Sequence, residues 1–255
     1  MTDSYPFTVF GGEFKGKRVL VTGGTKGIGE AIARRFALSG ASVATTARSE
    51  SAHGQDSALF IKTDIGTARG VQNVVDCIQR EWSGLDILVN NVGGTETKAG
   101  GFEALSDEDW QRILEVNLLA AVRLDRAFLP GMIERKSGVV IHISSVQHRL
   151  PFSNSTLAYA AAKGALATYS KGLAKGVAPK GVRVTMISPG FIETSGAKGM
   201  IADISRGSGI SEDAARQRIM GHAWRHSHRP DRPPRGSGGA GSLPRLRPRR
   251  VYQRG

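Results

Sequence analysis

The sequence predicts an α/β fold, a doubly wound parallel sheet in a single domain. Three observations predict it: six short β-branched runs, helical patterns that alternate with them as far as residue 190, and a glycine-rich turn between the first run and the first helix. A chain of 255 residues holds one substantial domain of this class, and two full domains would be cramped.

The elements follow in order. "RVLVTGG" (18–24) reads as the first strand and "GIGEAIARRFALS" (27–39) as an amphipathic helix stopped by Gly40. "SVATTAR" (42–48) and "LFIKTD" (59–64) are the second and third strands, with too few residues between them, all small or polar, for a full helix. A helix over 67–82 leads to the strand "DILVNN" (86–91). "SDEDW" supplies an N-cap and early acids for a helix carrying Trp110 to Leu129. "GVVIHISS" (138–145), an Ala-rich helix over 156–178, and "RVTMISPG" (183–190) complete the alternation. Alternation of this kind implies helices on both faces of a parallel sheet, with ligands bound beyond the carboxyl ends of the strands.

Composition excludes several classes. No apolar run reaches the roughly 18–20 residues of a bilayer span, and the N-terminus has no secretory-signal pattern. Cys77 is the sole cysteine, so no internal disulfide framework exists, and its helical apolar context predicts a packed thiol. Cytoplasm is the expected compartment. The net charge of +13 is uneven: residues 222–255 carry nine Arg and one acid, Asp231, together with half of the ten prolines.

"TGGTKGIG" (22–29) joins the first strand to the first helix. Gly23 permits the tight turn, Gly27 lets backbone approach a pyrophosphate, and Gly29 allows close helix–strand packing; the helix N-terminus then offers N–H groups to the anion. Strand before and helix after make this a dinucleotide site of Rossmann type, more specific than glycines alone. An NAD site wants a carboxylate at the end of the second strand to hold the ribose 2′-OH. Ala47 and Arg48 stand there instead, and Lys26 sits inside the loop, so NADP(H) is favoured over NAD. The blander reading is a pair of solvated cations. Asp64, ending the third strand, can accept from an adenine amine or cap the next helix.

Tyr159 and Lys163 stand at i and i+4 on one helix face. A phenol with an ordinary pKa near 10 is a poor acid at neutral pH, and a neighbouring ammonium lowers it. Ser145, leaving the end of a strand, can hydrogen-bond a reacting oxygen. No metal site is expected.

Five ordered motifs, TGxxxGxG, "NNVG" (90–93), a strand-terminal Ser, YxxxK and "PGFIET" (189–194), resemble the short-chain dehydrogenase/reductase family over about residues 14–221. The resemblance implies reversible hydride transfer between NADP(H) and a small carbonyl or secondary alcohol, with a 3-oxoacyl thioester reductase as one candidate. It implies Tyr159 as proton donor and acceptor, Lys163 as its activator and ribose ligand, Ser145 (or its neighbour Ser144) orienting the carbonyl, and Asn117 holding a relay water. Asn90 and Gly93 would line the cofactor floor, with Pro189, Gly190 and Thr194 at the carboxamide end and Ile28, Ile65 and Ile192 completing the cofactor contacts. Substrate choice would lie in 94–103, 147–156 and a helical lid over 195–220. NNVG replaces the usual NNAG, and Ser145 precedes Tyr159 by one residue more than is common. A non-catalytic nucleotide-binding descendant is the alternative of another class; it predicts loss of Tyr159 or Lys163, and both are present.

The expected divisions are an extension over 1–13, the dinucleotide-binding and catalytic domain over 14–221, and a disordered basic tail over 222–255. The family's chain continues with a helix and a final edge strand that also build a dimer or tetramer; neither is legible here. Read one base displaced, synonymous codons for Trp224 to Arg229 permit GGIPIG, and those for Ser242 to Arg250 permit AFLASDRAA, both similar to the family's C-terminus. The tail is therefore expected to be an out-of-frame translation. The rival is a polybasic arm that binds nucleic acid by counterion release.

Overall fold

The six β-branched runs become six strands of one all-parallel sheet. In the computed structural model, residues 8–49, 58–95, 100–151 and 156–225 are described. β1 (Arg18–Thr22), β2 (Ser42–Ala47), β3 (Leu59–Lys62), β4 (Ile87–Asn90), β5 (Gly138–Ile143) and β6 (Val182–Ile187) lie in the order β3-β2-β1-β4-β5-β6. The helices are α1 (Gly27–Leu38), α2 (Ala68–Trp82), α3 (Asp107–Leu114), α4 (Ala120–Glu134), α5 (Leu157–Val177), α6 (Ser195–Ser208) and α7 (Glu212–Arg225). This is the predicted doubly wound α/β fold. The short crossover expected between β2 and β3 lies almost wholly outside the described residues.

Alternate residues of each strand face opposite sides, and the two sides have separate cores. Val19, Val21, Val43, Ile87 and Val89 pack against Ala33, Phe36 and Phe14 on the α1 side. Leu20, Leu88 and Val140 pack against α2 and α4, through Val74, Ile78, Leu124 and Met132. Arg18 grips Asp86 with two guanidinium nitrogens and donates a third bond to the Trp82 carbonyl, fixing the amino ends of β1 and β4. On the α1 side of β6, Arg183, Thr185 and Ile187 are exposed, and no described helix covers them.

Three differences from the sequence reading have local causes. β1, β3, β5 and β6 end two or three residues early, all at their carboxyl ends. There the chain leaves the ladder for the loops of the site, turning at Gly23 (φ +66°) after β1; Ser144 N still donates to Ile187 O and Val146 N to Pro189 O beyond the regular ladder. The helix expected to end at Leu129 runs on to Glu134 with Pro130 inside it. Proline leaves the carbonyl one turn earlier without a donor, but Arg126 and Pro130 both face solvent, where water serves it. The lid is two helices, and α7 crosses the expected boundary at 221/222 to reach Arg225; the rest of the basic tail lies outside the described residues. Among the described residues no helix is long and apolar enough to cross a membrane.

Candidate active site

The strand order reverses between β1 and β4, the switch point at whose carboxyl ends a doubly wound sheet binds its ligands. Thr22, the last residue of β1, binds the two ends together: its Oγ1 accepts from the backbone N–H groups of Asn91 and Val92 at 2.9 and 3.1 Å. Asn91 Nδ2 in turn donates to the carbonyl of Thr22 at 2.9 Å. A β-carbon on Gly29 would lie 2.1 Å from the Gly23 carbonyl oxygen, so only glycine lets α1 start this close to the turn. Gly27 has φ +60° and faces the Thr194 methyl, which brings the glycine turn against the segment that follows β6.

α2, α3 and α6 are each capped by a side chain, from Thr67, Ser106 and Thr194, whereas Lys26 caps α1 with none. The first N–H groups of α1 are thus open to an anion, which fits the pyrophosphate of a dinucleotide. Ile28 is half-buried in the first turn of α1. Lys26 and Arg48 are both exposed, Arg48 immediately after β2. No carboxylate follows Ala47 before residue 50.

Of the expected cofactor contacts, Ile65 and Asn90 sit differently, and of the two roles open to Asp64 the helix cap is taken by another residue. Asp64 does not cap α2; Thr67 does, and Asp64 Oδ1 accepts from Gly66 N at 2.9 Å. Ile65 is 4% exposed and its side chain belongs to the core on the α2 side. Asn90, expected on the cofactor floor, turns its amide into the core, where Nδ2 donates to Asp125 Oδ1 at 2.9 Å. Successive strand residues face opposite sides, so of the two asparagines it is Asn91 that meets the glycine turn. The doublet was visible in the sequence, and alternation was the signal that could have assigned it.

The reactive groups converge at the carboxyl end of β5. Ser145 stands beside Tyr159 and acts to lower the pKa of its phenol, while Ser144 Oγ donates to the Lys163 backbone carbonyl at 3.3 Å, which separates the two serines. Lys163 is 2% exposed, its Nζ donates to the Ile143 carbonyl at 2.8 Å, and it lies 5.7 Å from the centre of the Tyr159 ring. Burial pushes the Lys163 ammonium down to about 8. Burial also pushes the Tyr159 phenol above its ordinary value, and Ser145 pulls it back.

Asn117 stands at the centre of a π-turn (Glu115–Leu119) between α3 and α4. Its Nδ2 donates to the carbonyls of Ile113 and Gly94, both at 3.0 Å, and its Oδ1 accepts from Gly94 N at 3.1 Å. The side chain thus takes over a carbonyl that the widened turn leaves free and holds the loop after β4. A β-carbon on Gly93 would meet Asn117 Oδ1 and Lys163 Nζ, each at 2.8 Å; Gly93 is the gap through which the loop reaches both. Pro189 is tied to Val146 through its carbonyl, Gly190 and Ile192 are exposed, and Thr194 caps α6. Parts of the expected substrate segments, 96–99 and 152–155, lie outside the described residues. Among those described, no group of His, Cys, Asp and Glu is placed to hold a metal.

Comparison with known proteins agrees with this geometry. The short chain dehydrogenase family model matches residues 17–204. The 3-oxoacyl-(acyl-carrier-protein) reductase of Vibrio cholerae is 37% identical over 192 residues, 73% of this chain and 78% of that protein. Its Escherichia coli counterpart is 36% identical over 196 residues, 74% and 79% of the two. L-sorbose reductase from Gluconobacter frateurii, solved with NADPH and L-sorbose, superposes with a TM-score of 0.73 at 31% identity, covering 82% of each chain. A 3-ketoacyl-(acyl-carrier-protein) reductase from Brucella melitensis, solved with NADH, gives 0.66 at 30% identity over 71% of this chain and 78% of that one. The chain belongs to the short chain dehydrogenase family and is an oxidoreductase dependent on a nicotinamide dinucleotide.

Proposed function

We propose that the chain reduces a carbonyl compound, or oxidises the matching secondary alcohol, with NADP(H) in preference to NAD(H). The observation that carries this reading is the convergence of Ser145, Tyr159 and Lys163 beside a glycine turn whose helix has no side-chain cap. The cofactor, when bound, supplies or accepts the hydride. Ser145 Oγ orients the carbonyl oxygen, and Tyr159 Oη passes it the proton. Lys163 stabilises the phenolate that remains. Its Nζ lies 5.7 Å from the ring centre, and an ammonium at that range favours the phenolate. With its value near 8, most Lys163 side chains still carry their proton at pH 7. Asn117 and Gly93 hold the loop that walls the site, and Lys26 and Arg48 offer cations to a 2′-phosphate where NAD would want an acid.

The substrate class follows from relatives: 3-oxoacyl thioesters from the sequence neighbours, ketoses from L-sorbose reductase. The test is oxidation of NADPH and of NADH against panels of both, with Tyr159→Phe as control. Turnover unaffected by that substitution, or no binding of either nucleotide, overturns the reading.

Residues from about 222 onward are read as a displaced-frame product. The exposed α1-side face of β6 supports this, because a family member would cover it before forming a dimer or tetramer. Resequencing through codons 215–255 tests it. The chain as written is expected to fold poorly and to have little or no activity, and a frame-restored chain to melt higher and be active. Salt-sensitive DNA retention lost on truncation at 221 would instead favour the polybasic arm.

A further inference from the structure

Deep beneath the Tyr159 corner, a core of Val, Leu and Ile contains four polar side chains. Asn90 is 5% exposed, Ser170 4%, and Asp125 and His142 are fully buried. Asp125 Oδ1 accepts from Asn90 Nδ2 at 2.9 Å, and Asp125 Oδ2 lies 3.0 Å from His142 Nε2. His142 Nδ1 meets Ser170 Oγ, and the Tyr169 ring lies tilted beside the imidazole, 5.8 Å between centres. Ser, His and Asp are the residue types of a hydrolytic triad, but here all three are shut away from solvent, where no substrate meets them.

Their placement gives them another use. Asn90 and His142 are register partners on β4 and β5. Asp125 follows Asn117 by eight residues and Ser170 follows Lys163 by seven, about two helical turns or 11–12 Å in each case. His142 precedes Ile143, the carbonyl acceptor of Lys163 Nζ, and lies three residues before Ser145. The cluster therefore joins the four elements that carry the groups of the site, one layer below them.

We propose that Asp125 is a positioning residue: through Asn90, His142 and Ser170 it holds β4, β5, α4 and α5 at fixed offsets, so that the groups above it converge. For stability alone, an apolar cluster of the same volume serves as well or better than a buried carboxylate. What the carboxylate adds is direction, since its hydrogen bonds fix angle and offset where apolar contacts tolerate sliding. Asn90 shows which partner dominates. Its Nδ2 is committed to Asp125, and its buried Oδ1 has no hydrogen-bond partner among the described residues.

This assignment rests on the proposed roles of Ser145, Tyr159 and Lys163, and its test includes a readout that does not. In the full chain, Asp125→Leu/His142→Phe replaces the pair with apolar groups, and Asp125→Asn is the near-isosteric single change. Three quantities are measured: the melting midpoint, amide exchange at Asn91, Val92, Ser144 and Val146, and NADPH-dependent reduction. The paired variant is expected to melt within a few degrees of the parent, exchange those amides at least about tenfold faster, and lose kcat at least about tenfold with KM for the carbonyl compound within about threefold. Asp125→Asn is expected to move exchange and kcat in the same direction by less, and it decides the matter if the paired variant does not fold. Unchanged exchange at those four amides, or faster exchange with unchanged kcat, overturns the assignment. A parent chain that reduces nothing even with its frame restored defeats the functional reading instead, and the exchange result still decides this one.

Discussion

The two faces of the sheet hold their halves of the site by different means. On the α1 side, beneath the glycine turn, Val19, Val21, Val43, Ile87 and Val89 form an apolar layer. On the α4 and α5 side, beneath Tyr159, buried Asn90, Asp125, His142 and Ser170 stand among Leu88, Leu124 and Val140. The difference follows from what each half presents. A phosphate cradle is made of backbone N–H groups, so it needs only close approach of two chain segments, which small side chains permit. A proton-transfer corner is made of side-chain atoms on three elements, and its chemistry depends on their mutual angles.

The comparison can be broken most forcefully at Tyr159. Tyr159→Phe is expected to lower turnover by about 10²–10⁴-fold while NADPH affinity, measured by nucleotide fluorescence, stays within about twofold. A large loss of affinity would mean the two halves are not separable. Gly29→Val attacks the other half, because its β-carbon collides with the Gly23 carbonyl. A loss of about 1–3 kcal/mol in denaturant unfolding is expected, with dinucleotide affinity falling at least about tenfold. Unchanged affinity would show that close approach is not what makes the cradle.

Lys163→Met sharpens the comparison through stability. The folded-state value of this lysine, about 8, lies below its ordinary 10.5, so between those pH values the unfolded chain binds more protons and stability rises with pH. Below pH 8 the penalty is complete, about 3 kcal/mol as an order of magnitude. The variant is therefore expected to be inactive yet more stable at pH 7, by about 1–3 kcal/mol, with the advantage fading as pH approaches 10.5. The smallest effect is expected at the surface. Arg48→Glu should shift the NADPH-to-NADH ratio of kcat/KM about tenfold toward NADH, since one exposed charge contact is worth about 1 kcal/mol.

Much of the fold is legible because its signals are local. β-branched runs, helical apolar spacing, the Ser106 cap and the glycine turn each span fewer than twenty residues. The Tyr159–Lys163 pair is legible for the same reason, being one helical turn apart. Strand ends are less so: Gly23, Ser144 and Pro189 read as continuations of their strands, but where pairing stops depends on neighbours distant in sequence, and Gly23 turns away with φ +66°. Ile65 illustrates another gap, since an apolar residue after a strand suits a cofactor wall as well as the core. Asp125 and His142 escape notice altogether. Each is a single polar residue in an apolar element, seventeen positions from the other, and no periodicity links them.

The sequence alone determined the class of fold and singled out the candidate dinucleotide turn and the candidate proton-transfer pair, because these depend on spacing within one strand, turn or helix. Only the tertiary structure decided which asparagine of the doublet faces the turn, which serine meets Tyr159, and that a buried carboxylate ties together the elements beneath the site. Those outcomes depend on which side chains from separate segments come within hydrogen-bond distance, and that is set by how helices lie on the sheet.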